Sequence, residues 1–182
     1  ACVMRGIDRS GLVNGAPAAI LGGGSMGLLH LLLIRAHLPD SPVLLIDPVA
    51  ERRAVASELG ATATATPGSD ALASACALSG DLGVDTVFDT VGGATTLNAS
   101  LELSRRGGSV VLFAHAPQGQ QASFDLNDLF KYERRVLGTY SGAVTEQRAV
   151  YALLEDGKFD PTPLITHRMP LNDFQRGVEL VR

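Results

Sequence analysis

Three glycines and one carboxylate are the residues whose types and spacing point to chemistry. Gly22, Gly24 and Gly27 stand in the order G-x-G-x-x-G, with Ser25 and Met26 between the last two. In that order the first glycine permits a tight turn. The second lets the backbone come close to a pyrophosphate, and the third lets a helix lie close on the preceding strand. The free N–H groups at the helix start, those of Ser25 and Met26 among them, then face the phosphates, and the helix dipole favours their charge. Asp47 follows about 20 residues later, where a carboxylate accepts hydrogen bonds from the adenosine ribose of NAD and repels the 2′-phosphate of NADP. The plain alternative is that the glycines make only a tight helix entry and Asp47 only caps the next helix.

The elements that must position these residues decide between the two. Ala18 to Leu21 is an apolar run, the pattern of a strand buried on both faces. Leu28 to Leu38 is rich in apolar residues and free of proline until Pro39, which reads as a helix. Val43 to Ile46 is a second buried run and ends in Asp47. Pro48 suits a helix's first turn, and Gly60 suits the end of the helix that closes at Leu59. Strand, helix, second strand and terminal acid together favour dinucleotide binding. Arg52 falls on the first turns of that second helix, where it lies beside the adenine or is simply solvated.

The same alternation continues. ATATAT at 61–66 predicts a third strand, and 71–78 a helix. Residues 84–90 predict strand four, 95–103 a helix, and 105–108 a loop. Strand five is expected at 109–114, a short helix at 126–132 and strand six at 135–140. A helix over 143–156, a short strand at 164–166 and a helix over 171–182, capped by Asn172 or Asp173, complete the chain. The fold class is therefore α/β: a Rossmann doubly wound parallel sheet with helices on both faces, strand order 3-2-1-4-5-6. Ligands bind such sheets beyond the carboxyl ends of the strands. That rule adds Thr90 and Val91, Phe113, Ala114 and His115, and Thr139 and Tyr140 to the candidate cofactor-binding residues.

Composition excludes several classes. A formal charge of −4 with no basic run gives no electrostatic support for a nucleic-acid partner. The apolar stretch around His30 is broken by Arg35 and His37 too early to span a membrane. Two cysteines, Cys2 and Cys76, make neither a disulfide framework nor a structural zinc set, which fits a reducing, cytoplasmic setting. His30 and His37 sit on the first long helix, where packing or a dipole contact is the ordinary role. Ala1 to Met4 reads as mid-helix without a cap and the last helix stops without one, so a piece of a longer protein is expected.

Several segments together resemble the cofactor-binding part of the medium-chain dehydrogenase family, the zinc-dependent alcohol and polyol dehydrogenases. They are ILGGGSMGLL, LLIDPVAERR with ELGA, VDTVFDTVGG, GGSVVLFA, LGTYSG and LITHRMPL. The pattern is most similar to the sorbitol, threonine and sugar-alcohol branch. The resemblance implies oxidation of an alcohol or polyol, with hydride passed to NAD and a zinc ion acting on the substrate hydroxyl. It implies that Gly22, Gly24 and Gly27 hold the pyrophosphate, Asp47 the ribose, and Arg52 the adenine side. Val91, Phe113, Ala114, His115, Thr139 and Tyr140 would line the nicotinamide half. It divides the chain into a connecting helix and loop (1–14), the NAD-binding unit (15–142) and a returning remnant of the substrate domain (143–182). It implies pairing of two copies through the edge near strand six.

Two departures stand out. Ser141 replaces an arginine common in polyol relatives. The family's zinc ligands come from an N-terminal domain and from a glutamate just before the stretch matching Ala1 to Val3, so neither a metal ligand nor a catalytic residue is assigned here. Two other readings stay open at this point. One is a non-catalytic dinucleotide-sensing or interaction module. The other is an NADP enzyme with Asp47 turned away from the ribose.

Overall fold

The strands split their side chains between two cores because successive residues point to opposite faces. Ala18 and Ile20 pack on one side of strand β1 (Ala18–Leu21), while Ala19 and Leu21 pack on the other. The same division places Val43 and Leu45 of β2 (Val43–Ile46) in the first core and Leu44 and Ile46 in the second. Being buried on both faces is why these strands read as continuous apolar runs. The computed structural model describes residues 1–181.

Around β1 and β2 lie β3 (Ala63–Ala65), β4 (Val84–Asp89), β5 (Ser104–Leu112) and β6 (Arg135–Gly138). All pairings are parallel and the order is β3-β2-β1-β4-β5-β6, as the alternation predicts. One face carries α1 (Cys2–Ser10) and α2 (Ser25–His37). The apolar side of α1 is Val3, Met4 and Ile7, spaced for one helix face. Between the strands run α3 (Ala50–Glu58), α4 (Ser69–Ser79) and α5 (Ala94–Leu103), followed by α6 (Leu126–Tyr132). Ala71 and Ala75 of α4 and Leu97 and Leu101 of α5 close the second core. The last two helices are α7 (Val144–Glu155) and α8 (Phe174–Val181). No helix among the described residues is long and apolar enough to cross a membrane.

Three expectations need correction. Residues 105–108 are not a loop; β5 begins at Ser104 and passes through them. The register against β4 shifts between Val84 and Thr86, and the Arg105 guanidinium pairs with Asp85 across the two strands. A Cβ on Gly108 would come within 2.9 Å of the Arg105 carbonyl, so a glycine suits the irregularity. Residues 164–166 are not a strand. A 3₁₀ turn spans Thr162–Leu164, set by Asp160 accepting from the Thr162 N–H at 2.9 Å. Pro161 and Pro163 also lack the donors a strand needs. Finally, Leu171–Asp173 form a 3₁₀ turn rather than the start of the last helix, and Arg182 lies outside the described residues.

The start of α1 lies against the turn that follows β6. A Cβ on Gly142 would lie 2.8 Å from the Ala1 carbonyl carbon and 2.9 Å from the Cys2 nitrogen. Beside it, the Arg5 guanidinium donates to Glu146 at 3.2 Å, and Glu146 accepts from the Ala143 N–H at 2.8 Å.

Candidate nucleotide site

Each glycine of the turn has a distinct environment. Gly22 has φ +97°, and a Cβ there would meet Thr90 Oγ1 at 2.8 Å and Val91 Cγ2 at 2.9 Å. Its N–H still continues the sheet, donating to the Ile46 carbonyl at 2.8 Å. A Cβ on Gly27 would overlap the Gly22 carbonyl oxygen, so α2 rests directly on the turn. Gly24 differs. It is the extended N-cap of α2, and a Cβ on it would meet nothing within 4 Å. Two glycines are thus required by packing, while the third faces open space at a helix N-terminus. The N–H groups of Ser25, Met26 and Gly27 fall in the first turn, where no helical carbonyl reaches them. The first carbonyl bond is Leu28 N–H to Gly24 O, at 2.9 Å.

Asp47 stands at the end of β2 with its side chain only 3% exposed. Oδ2 accepts from the Gly23 N–H at 2.7 Å and Oδ1 from the Val49 N–H at 2.8 Å. Arg52, 55% exposed, brings a guanidinium nitrogen to 3.5 Å from Oδ2. Each carboxylate oxygen has two lone pairs, so acceptor capacity remains on both. A cavity of about 290 Å³ opens against this residue, lined by Gly22, Asp47, Pro48, Pro67, Gly68 and Val91 among others. Pro48, expected in the helix's first turn, precedes the Val49 N-cap of α3 and lines the cavity instead; Pro67 and Gly68 were not expected at the site, although a turn after strand three is the place to look.

The other half of the rim forms a second cavity, about 430 Å³, on the far side of the turn. Met26, Phe113, Thr139 and Tyr140 line it together with Cys2 and Ser141. The ring of His115 meets Tyr140 edge-on at 5.5 Å between centroids. Ala114 and the His115 carbonyl lie so close to Gly92 that a Cβ there would come to 3.1 Å and 2.8 Å of them. Thr90 joins the exits of β4 and β1, donating from its hydroxyl to the Leu21 carbonyl at 2.7 Å. The expected residues therefore fall into two groups flanking the glycine turn: Asp47, Arg52 and Val91 on one side, Met26, Phe113, Thr139, Tyr140 and His115 on the other.

Sequence reasoning missed Asp89. Wholly buried at the end of β4, it accepts from the N–H groups of Val91 at 3.0 Å and Gly92 at 2.9 Å. Its other oxygen accepts from the Thr96 hydroxyl at 2.7 Å. The signal was an aspartate three residues before a glycine pair, the pattern of a side chain that caps its own turn. Asp89→Ala removes the acceptor for three donors. We expect it to lower stability by about 3 kcal/mol, read as a shifted urea midpoint, and to loosen the Val91 edge of the first cavity.

Residues 27–156 match the family model for zinc-binding dehydrogenases. The chain belongs to the zinc-binding dehydrogenase family. Among relatives, an L-threonine 3-dehydrogenase of Bacillus velezensis is 34% identical over 176 residues, covering 95% of this chain and 50% of that protein. A Sinorhizobium meliloti protein described as a zinc-binding dehydrogenase, solved with bound NADP, is 36% identical with a TM-score of 0.79, over 87% of this chain and 47% of that one. The 2R,3R-butanediol dehydrogenase of Bacillus subtilis is 27% identical with a TM-score of 0.88, over 100% of this chain and 51% of that one. The chain spans about half the length of the curated relatives it matches.

The family's zinc finds no home in the described residues: no group of three or more His, Cys, Asp or Glu side chains is placed to hold a metal. Cys2 lies at the second cavity and Cys76 on α4. His30 is buried beneath the sheet rim, and His167 is exposed with only Thr166 beside it.

Proposed function

We propose that this chain is the NAD(H)-binding half of a zinc-dependent dehydrogenase that oxidises a secondary alcohol or a polyol. The observation that carries the reading is the contrast within the glycine turn, two positions closed by packing and one open at the start of α2, beside a carboxylate-lined cavity. The bound nicotinamide supplies a hydride acceptor. The chain's own residues bind and orient it. The α2 N–H groups and dipole hold the pyrophosphate. Asp47 accepts from the ribose hydroxyls, with Arg52 at the adenine edge. Met26, Phe113, Thr139 and Tyr140 shape an apolar slot that keeps water from the nicotinamide face. His115 lies at the border of that slot. The described residues do not fit a zinc ion, so no step of the reaction is assigned to one here, and the chain alone binds cofactor without turnover.

In this reading 15–142 is the nucleotide-binding unit, 1–14 connects to it, and 143–182 leads back to the substrate-binding part. Two copies pair along the free edge of β6, the last strand of the sheet.

The test is a fluorescence titration of the chain with NADH and with NADPH, repeated for Asp47→Asn. The parent chain should bind NADH saturably and NADPH more weakly. Asp47→Asn keeps one acceptor for the backbone and removes the charge. It should lower NADH affinity roughly tenfold, the worth of a charged hydrogen bond, and narrow the preference. A folded chain that binds neither nucleotide overturns the proposal, and an unchanged preference removes Asp47 from it.

A further inference from the structure

Arg53 brings a positive charge into the opening turns of α3, where the helix dipole favours anions instead. The residue is half-buried. One of its guanidinium nitrogens, Nη1, donates to two carbonyls at once, that of Asp47 at 2.7 Å and that of Pro48 at 3.0 Å. The helix cannot serve these carbonyls itself. Its first bond runs from the Arg53 N–H to the Val49 carbonyl at 3.2 Å, and both acceptors precede that N-cap.

Asp47 and Pro48 form the turn out of β2, and both line the first cavity. Three anchors hold this turn. Asp47 Oδ2 accepts from the Gly23 N–H, Oδ1 accepts from the Val49 N–H, and the backbone carbonyls accept from Arg53. The first two anchors use carboxylate lone pairs, which a ribose would also need. Only the third holds the backbone without drawing on them. The opposite wall is tied down in a similar way. Pro67 and Gly68 line the same cavity, and Asp70 accepts from the Thr66 N–H at 2.7 Å and its hydroxyl at 2.8 Å to set the turn between them. Those two bonds and, more weakly, the charge of Arg53 hold the Asp70 carboxyl below the usual carboxylate range. One cation is therefore coupled to both walls of the cavity.

We propose that Arg53 is a positioning residue for the adenosine end of the site. It fixes the backbone of Asp47 and Pro48, so the carboxylate keeps its seat on the Gly23 N–H while a ribose takes its remaining lone pairs. Arg53 acts through the turn and not on the ligand. The functional part of the proposal rests on the proposed binding of adenosine at this cavity.

Two measurements on Arg53→Leu and Arg53→Lys test it. Leucine keeps the helix and removes the donors, whereas lysine keeps a charge and N–H donors. Amide hydrogen exchange needs no ligand. In Arg53→Leu, exchange at Gly23 and Val49 should quicken roughly tenfold, and in Arg53→Lys by less. Gly22, whose N–H bonds the Ile46 carbonyl, should exchange as in the parent chain. Unchanged rates at Gly23 and Val49, or an equal rise at Gly22, overturn the proposal whether or not the chain binds nucleotide. The second measurement is a titration with AMP and, separately, with reduced nicotinamide mononucleotide. Arg53→Leu should bind AMP roughly tenfold more weakly than the parent chain and the nicotinamide probe equally well, and Arg53→Lys should recover most of the loss. Undiminished AMP affinity, equal losses for both probes, or a lysine variant no better than the leucine one overturns the positioning role. A parent chain that binds neither AMP nor NADH would count against the proposed function, and the exchange rates would then decide whether Arg53 holds Asp47.

Discussion

Gly27→Ala should cost the chain both its stability and its cofactor. The new methyl overlaps the Gly22 carbonyl, and backbone cannot turn aside as a side chain can. Overpacking of this kind costs about 3 kcal/mol, or roughly 6–12 °C in Tm for a chain of this size. Relief comes only by lifting the start of α2, which carries the phosphate-facing N–H groups away from the turn. NADH affinity should therefore drop by roughly 10- to 100-fold, the binding equivalent of a similar strain. Gly24→Ala is the informative companion. Its φ of −75° suits any residue, and its Cβ would meet nothing within 4 Å. The fold should tolerate it, while the methyl occupies the approach of the pyrophosphate. Differential scanning fluorimetry and NADH titration of both variants read the two effects separately. A Gly24→Ala chain with undiminished NADH affinity would remove the phosphate from the turn.

Acid should destabilise the chain through His30. Burial pushes its imidazole from the ordinary 6.5 down to about 4, partly offset by the bond to the Met26 carbonyl. The neutral ring is the form that packs. Below pH 6.5 the unfolded chain takes up a proton that the folded chain refuses until about pH 4. Stability is therefore full above pH 6.5, falls as pH drops from there to about 4, and levels off below. The loss from this one group between pH 7 and pH 4 is about 3 kcal/mol. Asp70, Glu146 and Asp160 are held below the usual carboxylate range, Asp70 and Glu146 chiefly by backbone N–H groups and Asp160 by the Thr162 hydroxyl. As depressed carboxylates, they lose their contribution as pH falls through those lower values. Comparing urea melts of the parent chain and His30→Leu isolates the histidine: the variant should lose about 3 kcal/mol less over the same range. Parallel pH dependences for the two chains would place the acid sensitivity elsewhere.

What the sequence made legible follows from burial. Strands β1 and β2 are covered on both faces, so their residues are apolar in unbroken runs and could be read directly as strands of a parallel sheet. The glycine turn was legible because packing at Gly22 and Gly27 excludes every side chain. The polar edges of the sheet were not. Arg105 and Gly108 look like a loop until Asp85 supplies the partner across the strands. LIT at 164–166 has strand-forming residues, yet the prolines before it and Asp160 hold the chain in a 3₁₀ turn. Asp89 was legible only as the cap of its own turn, through Val91 and Gly92; its third donor, Thr96, is brought to it by α5. The histidine on α2 was expected to pack, and it does, against the rings of Phe88 and Phe113.

The contact of Gly142 with Ala1 and Cys2 is one end of a longer clamp. Phe159 is buried in the same core as Val3, Met4 and Ile7 of α1, and Val150 and Leu153 of α7 and Leu164 pack against that core. The Arg5–Glu146 pair ties α1 to α7 along the same seam. The chain after β6 is therefore riveted along its length to the helix that opens the sequence. Cys2 and Ser141 form the lip of the second cavity at the end of that seam, so the lip is anchored by apolar packing behind it.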